Sequence, residues 1–130
     1  MSWLFEEWGM KMAIAKEVPV LIKRNLVRFL TTLSEKAQVP LPLLLKEGLF
    51  AIHPGGPKII AQIQDILDLP YSQVQHSQEI LENYGNMSSA TLPHIFEKIL
   101  NTPSIPKGTY ITGLGFGPGL TLSGGILQKA

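Results

Sequence analysis

Two side chains stand out for chemistry, each set among residues that tighten the backbone around it. His53 opens His53-Pro54-Gly55-Gly56-Pro57, and Asn86 sits inside Tyr84-Gly85-Asn86-Met87-Ser88-Ser89. A histidine ring N–H and a carboxamide NH2 are both hydrogen-bond donors. Aimed at one oxygen, they stabilise negative charge developing there, as an oxyanion hole does. A third stretch, Gly115-Phe116-Gly117-Pro118-Gly119, supplies backbone with little bulk. The nucleophile that such a pair commonly serves is missing, because the 130 residues contain no cysteine. The chemistry therefore reads as part of an enzyme rather than a whole one.

Taken singly, each stretch is ordinary. A histidine at a strand end is more often structural than catalytic, and an asparagine after glycine is a common turn residue. The third stretch alone is a hairpin turn, and no Gly-Lys-Ser/Thr follows to make it a phosphate loop.

The elements that must position these residues follow from periodicity. Trp3, Phe5 and Trp8, then Met10, Met12 and Ile14, give a period-two spacing that predicts a strand pair, or a strand and an irregular turn, broken at Gly9. Pro19 fits the first turn of a helix. Ile22, Leu26, Phe29, Leu30 and Leu33 give that helix one buried stripe, with Lys23, Arg24 and Arg28 off it on a solvated face. Val39-Pro40-Leu41-Pro42 ends the helix. Residues 49–52 form a short apolar run that predicts a buried strand. Pro57 starts a helix with Ile59, Ile60, Ile63, Ile66 and Leu67 inside. His53 is thus expected between a strand end and a helix start, where open α/β sheets hold ligands. A helix over residues 74–84 stops at Gly85. Ser88 or Ser89 is expected to cap a further helix to about residue 100, with Pro93 forcing a late start or a bend. Residues 110–116 and 120–127 predict two strands joined through Gly117-Pro118-Gly119. The order strand, helix, strand, three helices and hairpin describes a layered α/β unit.

Composition narrows the possibilities. At 45% hydrophobic, 130 residues fit one domain with a real core. Charged residues are 16%, below the usual quarter, which suggests surface covered by more protein. A net charge of +1 provides no basic field for nucleic acid. Without cysteine there are no disulfides or thiolate metal sites, and His53, His76 and His94 lack metal-ligand spacing. The run over residues 41–45 contains Pro42 and is far too short to span a bilayer. No basic region precedes the apolar N-terminal stretch, so no signal peptide is expected and a cytoplasmic location is.

The three stretches together resemble the C-terminal part of the chalcone synthase family, the type III polyketide synthases. They occur in the family's order and at similar spacing, and Gly9-Met10-Lys11-Met12-Ala13-Ile14 with Glu17-Val18-Pro19 is similar as well. The resemblance covers nearly the whole chain. It implies an α/β fold, the C-terminal half of a thiolase-like layered fold with a mixed sheet and packed helices. It implies a single domain over residues 1–130, with the cysteine-bearing N-terminal half absent. His53 matches the family's catalytic histidine and Asn86 its catalytic asparagine. Gly55, Gly56, Ser88, Gly115, Phe116, Gly117 and Pro118 match positions that shape the substrate cavity. Met12 stands where plant members place a gatekeeping phenylalanine, which implies a different pocket shape.

The implied activity is acyl transfer: an acyl-CoA starter condensed with malonyl-CoA by decarboxylative Claisen chemistry, with coenzyme A thioesters as substrates and no resident cofactor or metal. Without a thiol the chain alone is expected to be inactive. Its partners would be those thioesters, the missing N-terminal half and, because half a core leaves apolar faces uncovered, a second copy in a homo-oligomer. The rival expectation is a non-catalytic truncated remnant that serves as an assembly or binding module.

Overall fold

The computed structural model describes the backbone of residues 2–7, 9–13, 18–117 and 119–130, and the side chains of residues 7, 20–117 and 119–130. Strands β1 (Ser2–Glu6) and β2 (Gly9–Ala13) form an antiparallel pair. The chain reverses before Gly9, which is itself paired with Glu6, so glycine opens the second strand instead of breaking the pair. Helix α1 (Val18–Ala37) follows, with Pro19 in its first turn where no intrahelical N–H is needed.

Helix α1 stops where expected, with Gln38 in the left-handed region at φ 55. The prolines beyond it do not leave a loop, however. Leu41–Glu47 is a second helix, α2, with proline in its first turn and Leu44 fully buried. A proline that ends one helix is equally fit to begin the next.

Strand β3 (Leu49–Ile52), helix α3 (Pro57–Leu67), helix α4 (Tyr71–Tyr84), a 3-10 turn at Ser88–Ala90, helix α5 (Thr91–Asn101) and strands β4 (Tyr110–Gly117) and β5 (Thr121–Gln128) complete the chain. The sheet order is β3-β4-β5, with β3 parallel and β5 antiparallel to β4. Neither Ser88 nor Ser89 caps α5 through its side chain. The Thr91 hydroxyl does comparable work by accepting the N–H of Met87 at 2.8 Å. Because α5 starts at Thr91, Pro93 falls in its first turn and needs no bend.

The sheet divides the interior in two. On one side Ile22, Leu26 and Leu30 of α1 and Ile60 and Ile63 of α3 pack with Phe50, Ile52 and Leu114. On the other, Ile95 and Ile99 of α5 and Ile80 of α4 pack with Ala51 and Ile111. Gly113 lets α5 sit close, since a Cβ there would stand 2.5 Å from Phe96 Cζ.

Helix α4 runs along the outer edge of β3. In a parallel ladder alternate residues turn their backbone groups to opposite sides. His53 N–H bonds Leu114 O at 2.8 Å toward β4, so Ile52 N–H and Phe50 C=O face outward. Ser77 Oγ accepts the first at 2.9 Å and donates to the second at 3.1 Å. Gln73 Nε2 donates to the carbonyls of Leu45 and Gly48 at the strand's start. Among the described residues no helix is long and apolar enough to cross a membrane. The fold is mixed α/β, helices on a three-stranded mixed sheet.

Candidate active site

Two directions of travel bring the sequence motifs to one end of the molecule. Gln73 lies beside the start of β3 and Ser77 beside its end, so α4 runs parallel to β3 and delivers Tyr84-Gly85-Asn86 past the strand's carboxyl end. Strand β4 is also parallel to β3, so Gly115-Phe116-Gly117 ends on the same side as His53. Helix α5 runs the other way. Its end at Thr102 accepts a bond from Lys129, near the start of β4, and Phe96 meets Gly113 midway. Its start at Thr91 therefore points back toward the end that holds His53.

The same motifs also share one face of the sheet. Ala51 faces the α5 side, and position 53, two residues on, continues that alternation. Ile52 is paired with Leu114, so Gly115 is the next step beside His53. Gly113 faces Phe96, so Gly115 and Gly117 continue on the α5 side, while Leu114 and Phe116 face the α1 and α3 core. Met87 packs against the cluster on the α5 side, anchoring the Asn86 loop to that side.

Local geometry fixes how each residue is presented. Gly85 ends α4 with φ 70 and ψ −163, a backbone closed to residues with a Cβ. The chain leaves the helix there, and Asn86 emerges exposed to solvent. Asn86 Oδ1 accepts the N–H of Ser88 at 2.9 Å, and Ser88 sits at φ 58. That bond turns the oxygen toward the backbone and leaves the amide NH2 as a donor for a ligand. His53 is half-buried, and its burial holds the imidazole below its ordinary pKa, so the ring is neutral at pH 7 and carries one N–H donor. Among the described residues its ring makes no hydrogen bond. The first turns of α3 and α5 both open at this end, where the helix dipole favours negative charge.

The remaining candidates are less uniform in placement. Gly55 and Gly56 lie half-buried between His53 and α3. Ser88 holds Asn86 through its backbone N–H. Phe116 packs against the first core cluster. Met12 lies in β2 opposite Trp3, but its side chain falls outside the described residues, as does Pro118 altogether. Thr91, which holds the Met87 N–H, escaped the sequence reading because two serines before it were the more obvious caps. Among the described residues no cluster of three or more histidine, cysteine, aspartate or glutamate side chains is placed to hold a metal.

Comparison with known proteins speaks to the family and the fold. A family model for the chalcone and stilbene synthases, C-terminal domain, matches residues 2–130. The "Probable polyketide synthase 1" of Dictyostelium discoideum is 32% identical over 131 residues, covering 99% of this chain and 4% of that protein. The crystal structure of the C-terminal type III polyketide synthase domain of Steely1, a type I/III hybrid from Dictyostelium, superposes with a TM-score of 0.84 at 29% identity. It is matched over 98% of this chain and 35% of its own. A fungal type III polyketide synthase, ORAS, gives 0.83 at 27% identity over 99% and 36%. The chain thus spans about a third of the solved relatives it matches and a small fraction of the curated one. These neighbours are thiolase-like type III polyketide synthase folds, and the chain belongs to the chalcone and stilbene synthase family, as a C-terminal domain.

Proposed function

We propose that the chain is the oxyanion-holding part of a type III polyketide synthase-like acyltransferase. In this reading, an acyl group from an acyl-CoA starter is carried on a cysteine outside this chain. His53 Nε2–H and the Asn86 NH2 hold the thioester oxygen of malonyl-CoA. As carbon dioxide leaves, the electrons of the breaking C–C bond form an enolate whose oxygen carries the negative charge. The enolate carbon attacks the acyl thioester and releases the thiolate. Two preorganised donors lower this barrier because they are already aimed where charge develops. The bare backbone of Gly55, Gly56, Gly115 and Gly117 leaves room for substrate, with Ser88, Phe116, Pro118 and Met12 as further cavity positions. The observation that supports the reading is the Asn86–Ser88 bond, which orients the carboxamide by its oxygen and leaves its NH2 as a donor.

The test is to co-express the chain with the cysteine-bearing N-terminal portion of a type III polyketide synthase and to follow labelled malonyl incorporation. The pair should form condensed product, and the purified 130-residue chain should form none. Condensation by the chain alone would contradict the proposal. The second reading is a non-catalytic remnant acting as an assembly or binding module. A reading frame carrying the family's cysteine immediately upstream of Met1 would exclude it.

A further inference from the structure

Asn86 is presented by a stretch that lies mostly in solvent. Asn86, Ser88, Ser89 and Ala90 are exposed, and Met87 is half-buried. The bond from Ser88 N–H to Asn86 Oδ1 stays within this stretch. It sets the carboxamide against the loop, and something else must set the loop against the fold. Thr91 is placed to do so. It opens α5 and is wholly withdrawn from water. Its Oγ1 accepts the N–H of Met87 at 2.8 Å. That N–H belongs to the peptide joining Asn86 to Met87. Because a peptide unit is planar, holding its N–H also holds the Asn86 carbonyl and, through it, the Asn86 Cα. Thr91 is itself fixed from within. Ile95 and Ile99 of the same helix are fully buried, and Phe96 lies so close to Gly113 that a Cβ there would stand 2.5 Å from the ring. Rigid contacts therefore run from the sheet through α5 to the Thr91 hydroxyl, and from there to Asn86.

We infer that Thr91 is a positioning residue for the condensation, its hydroxyl registering the Asn86 donor on the sheet that also carries His53. This rests on the role proposed above for Asn86. When the acceptor is removed, the Met87 N–H must turn toward water to recover a hydrogen bond, and the Asn86 peptide turns with it. A donor displaced by about 1 Å can cost up to roughly 100-fold in rate. Valine matches the shape of threonine without the oxygen, and serine keeps the oxygen without the methyl, so the two replacements separate the bond from the packing.

In the synthase reconstituted with a cysteine-bearing N-terminal portion, Thr91→Val should lower kcat for malonyl incorporation about 10- to 100-fold with KM little changed. Thr91→Ser should recover most of that loss. In an Asn86→Ala background, Thr91→Val should cost nothing further, because it acts through that side chain. A full additional loss in that background marks a merely structural role and overturns the inference, as does wild-type turnover in Thr91→Val. If Asn86→Ala itself leaves turnover intact, the reading of Asn86 fails and the inference goes with it. A measurement on the 130-residue chain bears on Thr91 alone. The Met87 amide should exchange with deuterium several-fold faster in Thr91→Val than in the wild type or Thr91→Ser, and equal rates in all three overturn the inference.

Discussion

On the α1 and α3 side of the sheet, Ile22, Leu26, Leu30, Ile60, Ile63 and Leu114 are all withdrawn from water. On the other side Ile80 of α4 and Ile95 and Ile99 of α5 cover Ala51 of β3 and Ile111 at the start of β4. Beyond Gly113 that face presents Gly115, Gly117, Thr121 and Ser123. The first side is built from large side chains locked against one another. The second grows thin toward the end where His53 and Asn86 are placed. The contrast separates two tasks: burial of apolar area on one face drives folding, while the other leaves backbone and donors within reach of a ligand. It also fits a chain that spans about a third of its solved relatives.

The largest effect is expected from attacking the sealed side. Leu26→Ala should cost about 2–5 kcal/mol through lost burial and a cavity, measured by urea denaturation. A cost below that of a typical surface substitution would mean the two sides do not differ as described. Next comes the thin side, where the expected loss is functional. In the reconstituted synthase, His53→Ala or Asn86→Ala should lower malonyl incorporation on the order of 100-fold or more, the usual effect of removing one oxyanion donor. Asn86→Ala should leave the unfolding curve of the isolated chain nearly unmoved, because that side chain is exposed. A large stability loss from Asn86→Ala would show its role to be structural.

A smaller effect tests the sealed edge. Ser77→Ala strands Ile52 N–H and Phe50 C=O and should cost about 1–3 kcal/mol. Ser77→Thr keeps the hydroxyl and should recover much of it; equal losses for the two variants would discount the hydrogen bonds.

The smallest effect is a pH dependence. His53 and His76 are both held below their ordinary value by burial; at His76, Lys98 adds to this and Glu79 opposes it. His76 is buried with Nδ1 unpartnered. The unfolded chain then binds protons more readily than the folded one as pH drops below about 6.5. Stability should be full above that value and decline below it, down through the folded-state pKa. Urea midpoints measured on either side of pH 6.5 should show the decline, and His76→Leu should flatten it. A midpoint that rises on acidification would reverse the assignment.

Much of the scaffold was legible because it depends on local rules. The α1 stripe, the β3 apolar run, the stop at Gly85 and the late start forced by Pro93 each follow from spacing or from one residue's backbone preference. The helix Leu41–Glu47 was not legible, because proline carries the same local meaning at the end of one helix as at the start of the next. The buried state of His76 was hidden as well. Its helix reads as polar, and only the packing of α4 between β3 and α5 takes the ring out of water.

The sequence by itself determined that a histidine and an asparagine sit at element boundaries, that no thiol accompanies them, and that α1 turns one apolar stripe inward, since these depend on side-chain type and period. Only the tertiary structure decided that α4 and β4 both run parallel to β3. Those directions, set by long-range pairing and by Ser77 and Gln73 reaching the strand edge, carry His53, the Asn86 loop and the glycines of β4 to one end and one face.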